Sequence, residues 1–137
     1  MDMDLYITKH RVMQDYLRQL TNLVNGTIDK ANAPLIAELI NKTTGVLNMH
    51  LASEDHFVYP KLLESSDEKI RSITRSYMNE MTKIADSYLA FHKNFNTPSK
   101  ILADTDEFKK TFKQVRDALL LRIDREEKEL YTFTGHL

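Results

Sequence analysis

His50 and Glu54 stand four residues apart, and so do Arg122 and Glu126. Both pairs fall on the apolar stripe of their segments rather than beside it. Residues at i and i+4 of a helix share one face, so each pair stacks along its helix. His10, Tyr77 and Met81 occupy equivalent stripe positions on two further segments. Burying a charge is costly unless the charge is paired or metal-bound. Two compensations are available here. Imidazole nitrogen and carboxylate oxygen suit iron, zinc or manganese, and bundle cores build such sites from facing helices. Alternatively, a guanidinium held bidentately by carboxylates closes the layer without metal. Paired carboxylates also serve acid–base chemistry. However, the chain has no Gly-rich phosphate loop, no His-Glu-x-x-His motif and no nucleophile elbow, so enzymatic activity is not expected.

Charge arithmetic narrows the choice. Glu54 and Glu126 contribute −2 and Arg122 contributes +1. With neutral imidazoles, one divalent ion brings the layer to +1 and none leaves −1, which a single protonated imidazole cancels. Two divalent ions beside Arg122 would leave +3. Arg122 stays cationic at ordinary pH and cannot be a ligand, and Met81 is a poor ligand for a hard iron ion. Tyr77 could bind a ferric ion as phenolate. Electrostatics alone therefore permits either a single-metal site among these imidazoles and carboxylates or a metal-free network, and disfavours two metals.

These residues must be carried by helices. The spacings Tyr6, His10, Met13, Leu17, Leu20, Val24 predict a first helix over about 4–25, with Gly26 as its C-cap. Asn32 and Pro34 open a second, with stripe Ile36, Ile40, Thr43, Leu47, His50, Glu54, Phe57 and an end shortly after Pro60. Ser65 with Glu68 has capping-box spacing. It opens a third helix along Ile70, Ile73, Tyr77, Met81, Ile84, Tyr88, Phe91 and Phe95, which Thr97-Pro98-Ser99 breaks. Asp104 with Glu107 starts a fourth through Phe108, Phe112, Val115, Leu119, Arg122, Glu126, Leu130 and Phe133. His56 and His92 fall on outer faces, and His136 in a loose tail. No segment alternates with period two, and short links join the helices. The expected fold is all-α, an up-down-up-down antiparallel four-helix bundle forming one domain over 1–137. His50-x-x-x-Glu54-Asp55 with Tyr59 echoes Arg122-x-x-x-Glu126-Glu127 with Tyr131.

Composition sets the remaining bounds. The chain has 137 residues, 42% hydrophobic and 28% charged, with net charge −1. No basic excess points to nucleic acid or an anionic membrane. No run approaches the roughly 18–20 apolar residues that span a bilayer, and the acidic start MDMDLYITKH is unlike a signal peptide. A cytoplasmic setting is expected. The absence of Cys excludes disulfides, thiolate metal sites and Cys nucleophiles.

Three stretches, ITKHRVMQDYLRQL, LNMHLASEDHFVYPKL and LLLRIDREEKELYTF, together resemble the hemerythrin family and its HHE cation-binding domains. The resemblance covers nearly the whole chain in the family's order. It implies a four-helix bundle around non-haem di-iron, with roles in binding oxygen or handling iron. It also implies that His10, His50, Glu54 and Glu126 are retained ligands. Tyr77 and Met81 stand where the family's third helix carries histidines, and Arg122 where its fourth does. One half-site is thus intact and the other dismantled. Two irons supply the two electrons of reversible oxygen carriage, so one iron implies iron binding, handling or sensing instead, with a metal ion and a small gas as ligands. Zinc or manganese would fit the same donors. A competing reading is a metal-free bundle with an Arg–carboxylate core that works as a protein-interaction or regulatory module. A third, haem held by His10 and Met81, is disfavoured by carboxylates in the same layer.

Overall fold

The computed structural model describes residues 2–136. It is all-α, with no strand among the described residues. The elements are α1 (Asp4–Val24), α2 (Ala33–Ser53), α3 (Tyr59–Leu63), α4 (Glu68–Phe95), α5 (Pro98–Ala103) and α6 (Thr105–Lys128). A π-helical turn, Glu54–Val58, joins α2 to α3, and a 3-10 segment, Leu130–His136, follows α6.

Specific contacts join the long helices. The Tyr6 hydroxyl lies 2.8 Å from Ser53 Oγ, joining the start of α1 to the end of α2. Lys109 Nζ donates to the Gly26 carbonyl at 3.2 Å, joining the end of α1 to the start of α6. Thr44 and Tyr88 hydroxyls meet at 3.1 Å between α2 and α4. Two apolar clusters result. At one end Phe91, Phe108 and Phe112 stack among aliphatic residues, with Phe95 edge-on to Phe108. At the other end Met3, Tyr6, Val58, Tyr59, Leu62, Tyr77, Leu130 and Tyr131 pack together. Each such large apolar side chain contributes roughly 1.5–3 kcal/mol on burial. The stripes place His10, His50, Arg122 and Glu126 between these two clusters.

Several local expectations are corrected. Phe57 is 62% exposed and Val58 takes the buried position. The π-turn holds more residues than an α-turn, so the stripe slips by one residue after Glu54. Pro60, which lacks an N–H, sits in the first turn of α3, just past this irregularity. Asp67, not Ser65, caps α4, accepting from the Lys69 amide at 2.9 Å. Ser65 Oγ instead accepts from the Asp67 amide at 3.1 Å. Gly26 does not adopt positive φ, and Asn25 ends α1 in a right-handed conformation. Thr97 caps a short extra helix, α5, where only a break was expected. The last predicted stretch is not one continuous helix. Glu129 leaves helical geometry at φ −125°, ψ −68°. The tail expected to be loose is 3-10 up to His136.

Gly45 lies inside α2, with open space where a Cβ would go. Gly45→Ala is expected to raise stability by about 0.5–1 kcal/mol, because Ala loses less backbone entropy in a helix. A urea midpoint that does not move upward would contradict this.

Candidate metal centre

Each donor reaches the centre for a local reason. His10 and His50 are carried in on the buried stripes of α1 and α2. Glu54 is the first residue of the π-turn, one turn beyond His50 and fully buried. Arg122 and Glu126 share the buried face of α6, each 2% exposed. The bend at Glu129 then returns the chain so that Tyr131 is buried too.

Three donors converge. His10 Nε2 lies 3.1 Å from His50 Nε2 and 3.0 Å from Glu126 Oε1. His50 Nε2 lies 3.5 Å from the same Glu126 oxygen. His10, His50 and Glu126 thus present ligand atoms all within 4.8 Å of one another. Glu54 stands outside that group. Its Oε1 is 2.9 Å from His50 Nε2, but the contact has the closeness of an ion pair without hydrogen-bond alignment. Neither Glu54 oxygen, nor His50 Nδ1, has a hydrogen-bond partner among the described residues.

Arg122 fills the other half of the layer. Its Nε donates to Glu126 Oε2 at 2.7 Å, Nη1 to the Tyr77 carbonyl at 2.9 Å and Nη2 to the Tyr59 hydroxyl at 3.0 Å. Its guanidinium carbon sits 4.5 Å from the centre of the Tyr77 ring. The expected bidentate pairing is therefore not made, and Arg122 forms no ion pair with Glu54 among the described residues. The two terminal nitrogens of the fork are bonded instead to the Tyr77 carbonyl and the Tyr59 hydroxyl. The Tyr77 hydroxyl does not reach the histidines; it donates to Glu129 Oε1 at 2.6 Å and the Arg125 carbonyl at 3.1 Å. Met81 is buried and lines the central cavity. Of the outer histidines, His56 is exposed and His92 pairs with Asn41 Oδ1 at 2.8 Å.

Electrostatics separate the two core carboxyls. Desolvation pushes Glu54 above the usual carboxylate range, and the nearby Glu126 charge adds to this. Glu126 is desolvated too, but the hydrogen bond of His10, the closeness of His50 and the Arg122 charge outweigh burial and hold it well below that range. Desolvation lowers His50, yet Glu126 and Glu54 overcome it and bring it to about 9. Burial drives the phenol of Tyr131 far up, and both carboxylates reinforce the shift.

Glu127, Tyr59 and Tyr131 were not selected from the sequence as site residues. Glu127 Oε2 lies 2.8 Å from His10 Nδ1, and the Arg11 guanidinium holds both Glu127 oxygens at 3.0 and 2.6 Å. Desolvation of Glu127 is outweighed by Arg11 and His10, which keep it ionised. An ionised carboxylate only accepts, so His10 Nδ1 carries a proton and the ring is oriented as metal-binding histidines are. The echo of Tyr59 and Tyr131 after the two carboxylate motifs was the available signal for both tyrosines.

The residues fit a single cation. A cavity of about 10 Å³ touches His10, His50, Glu54, Met81, Arg122 and Glu126. That is room for about one water-sized particle, and none for a haem. A buried carboxylate without hydrogen bonds, beside two imidazoles and a second carboxylate, is a donor set suited to iron, zinc or manganese.

The family model of the Hemerythrin HHE cation binding domain matches residues 2–134. No curated protein and no solved structure matches the chain. The chain belongs to the hemerythrin family, and its kinship is with cation-binding proteins.

Proposed function

We propose that this hemerythrin-family protein holds one cation, iron foremost, through His10, His50, Glu54 and Glu126, and that Arg122 stands in place of a second. We read its four long helices as an up-down-up-down bundle, a reading supported by their antiparallel contacts. The observation that carries the single-cation reading is the fully buried Glu54 carboxylate, with neither oxygen hydrogen-bonded, beside three converging donors. Leaving such a group unsatisfied costs about 1–3 kcal/mol or more, and a cation would relieve it.

Within this reading, His10 is oriented by Glu127 and Glu126 is shared between the histidines and Arg122. Bound iron would supply redox chemistry and a site for a small gas ligand. A role in binding, handling or sensing iron or a gas follows, rather than two-electron oxygen carriage or catalysis. No helix among the described residues is long and apolar enough to cross a membrane. A cytoplasmic location, without nucleic-acid or membrane partners, completes the proposal.

A metal-free alternative is favoured by His50. Its proton, held up to about pH 9, adds to the Arg122 charge and cancels Glu54 and Glu126. The bundle would then act by binding another protein. Metal content per chain, measured by mass spectrometry after anaerobic purification without tag or chelator, separates the readings. Near one equivalent, lost in His50→Ala, is expected. Two equivalents, with oxo-bridged di-iron absorption after oxidation, would overturn the single-cation reading. No metal in a fully folded protein would favour the alternative.

A further inference from the structure

We propose that Tyr131 is a further ligand of this cation, its phenolic oxygen forming a tetrahedral cage with His10 Nε2, His50 Nε2 and Glu126 Oε1, to which Glu54 adds when the ion binds. The inference rests on the single-cation reading and adds a ligand that comes from the 3-10 segment rather than from a long helix.

The support is geometric. Tyr131 Oη lies 3.2 Å from His10 Nε2, 3.3 Å from His50 Nε2 and 3.1 Å from Glu126 Oε1. The other three edges are 3.1, 3.0 and 3.5 Å. Four atoms with nearly equal mutual separations form an almost regular tetrahedron. The centre of such a figure is about 0.61 of an edge from each corner, here about 2.0 Å, matching metal bonds of about 2.0–2.2 Å to nitrogen and oxygen.

Hydrogen bonding alone serves this arrangement poorly. The four atoms carry at most three protons, one on each imidazole Nε2 and one on the phenol. Each proton points along one edge, so several of the six close contacts are left without one. A cation at the centre faces all four lone pairs together. Other tyrosine hydroxyls are committed elsewhere: Tyr77 to Glu129, Tyr59 to Arg122 and Tyr88 to the Ile40 carbonyl. Glu54 forms an ion-pair contact with His50 and none with His10, so it would have to move to join the cage. On binding, the Tyr131 O–H bond breaks, the proton leaves to buffer and the oxygen lone pair bonds to the metal. No electron is transferred.

The test is to load the full-length protein with one equivalent of ferric citrate. Bound iron is counted by mass spectrometry, and absorption and resonance Raman spectra are recorded. Expected are one iron per chain and a visible tyrosinate-to-iron charge-transfer band with phenolate vibrations. In Tyr131→Phe the band is lost, and affinity falls by at least the roughly 10–100-fold that loss of a supporting group costs a metal site. Circular dichroism should show the fold unchanged. Should that variant fail to fold, the wild-type Raman spectrum, recorded with ring-deuterated tyrosine, still decides whether a tyrosine is bound. One bound iron without tyrosinate features overturns the Tyr131 assignment and leaves the single-cation reading standing. A band that survives in Tyr131→Phe and vanishes in Tyr77→Phe also overturns it. No bound iron overturns this inference and the iron form of the single-cation reading.

Discussion

Arg122→Leu, in chelator-treated protein, should lose about 3–5 kcal/mol of folding stability, the cost of breaking a buried ion pair by removing one partner. Arg122 is 2% exposed and spends its donors on Glu126, the Tyr77 carbonyl and the Tyr59 hydroxyl. Leucine leaves all three without those bonds, in a layer that already contains the unbonded Glu54 carboxylate. The loss should show as a large drop in urea midpoint with an unchanged slope. Stability within about 1 kcal/mol of wild type would mean that the guanidinium costs as much in desolvation as its partners return, which defeats the view of Arg122 as the counter-charge of this layer. Adding one equivalent of divalent metal should recover part of the loss if the cation lies on the histidine side, because ligand binding to the folded state alone adds stability.

Glu54→Met should act in the opposite direction. In metal-free protein it is expected to gain about 1–3 kcal/mol, because an apolar side chain of similar length replaces a carboxylate with no hydrogen bond. It also removes repulsion with Glu126, one cause of the raised Glu54 pKa. The sign with pH follows from that raised value. Below the ordinary carboxylate pKa, Glu54 is protonated in both folded and unfolded chains and imposes no ionisation penalty. As pH rises through the raised folded value, the wild type loses stability that the variant keeps. The advantage of Glu54→Met should therefore grow with pH. Under the single-cation reading, the same variant should bind metal more weakly. Opposite effects on stability and affinity would mark a carboxylate kept for a ligand. A variant less stable than wild type in chelator would show that the attraction of Glu54 to His50 exceeds its desolvation cost.

Much of this was legible in one dimension, because helical periodicity is a local property. The positions of His10, Met13, Leu47, His50, Leu119, Arg122 and Glu126 on apolar stripes required only the 3.6-residue repeat, and all are buried. The Asp104 cap, which accepts from the Glu107 amide at 3.1 Å, was equally local. Legibility ended where the repeat changes. The π-turn at Glu54–Val58 moved Phe57 to the surface and Val58 inward. Pro60 announced a disturbance of the helix, but not that it would take the form of an extra residue in the turn before it.

By itself, the sequence determined that the chain is all-helical, that an imidazole–carboxylate–guanidinium layer crosses its core, and that Arg122 cannot be a ligand. These follow from spacing and from side-chain chemistry that does not depend on surroundings. Tertiary structure alone decided how the donors divide. The guanidinium fork meets one carboxylate rather than two, because Tyr59 and Tyr77 from other elements supply its remaining acceptors. The Tyr77 hydroxyl is drawn away to Glu129, while the bend at that residue brings Tyr131 against both histidines. Hydrogen-bond partners such as His10 and Tyr131, 121 residues apart, are chosen by packing between elements. A helical repeat records which face is buried, but not what that face will meet.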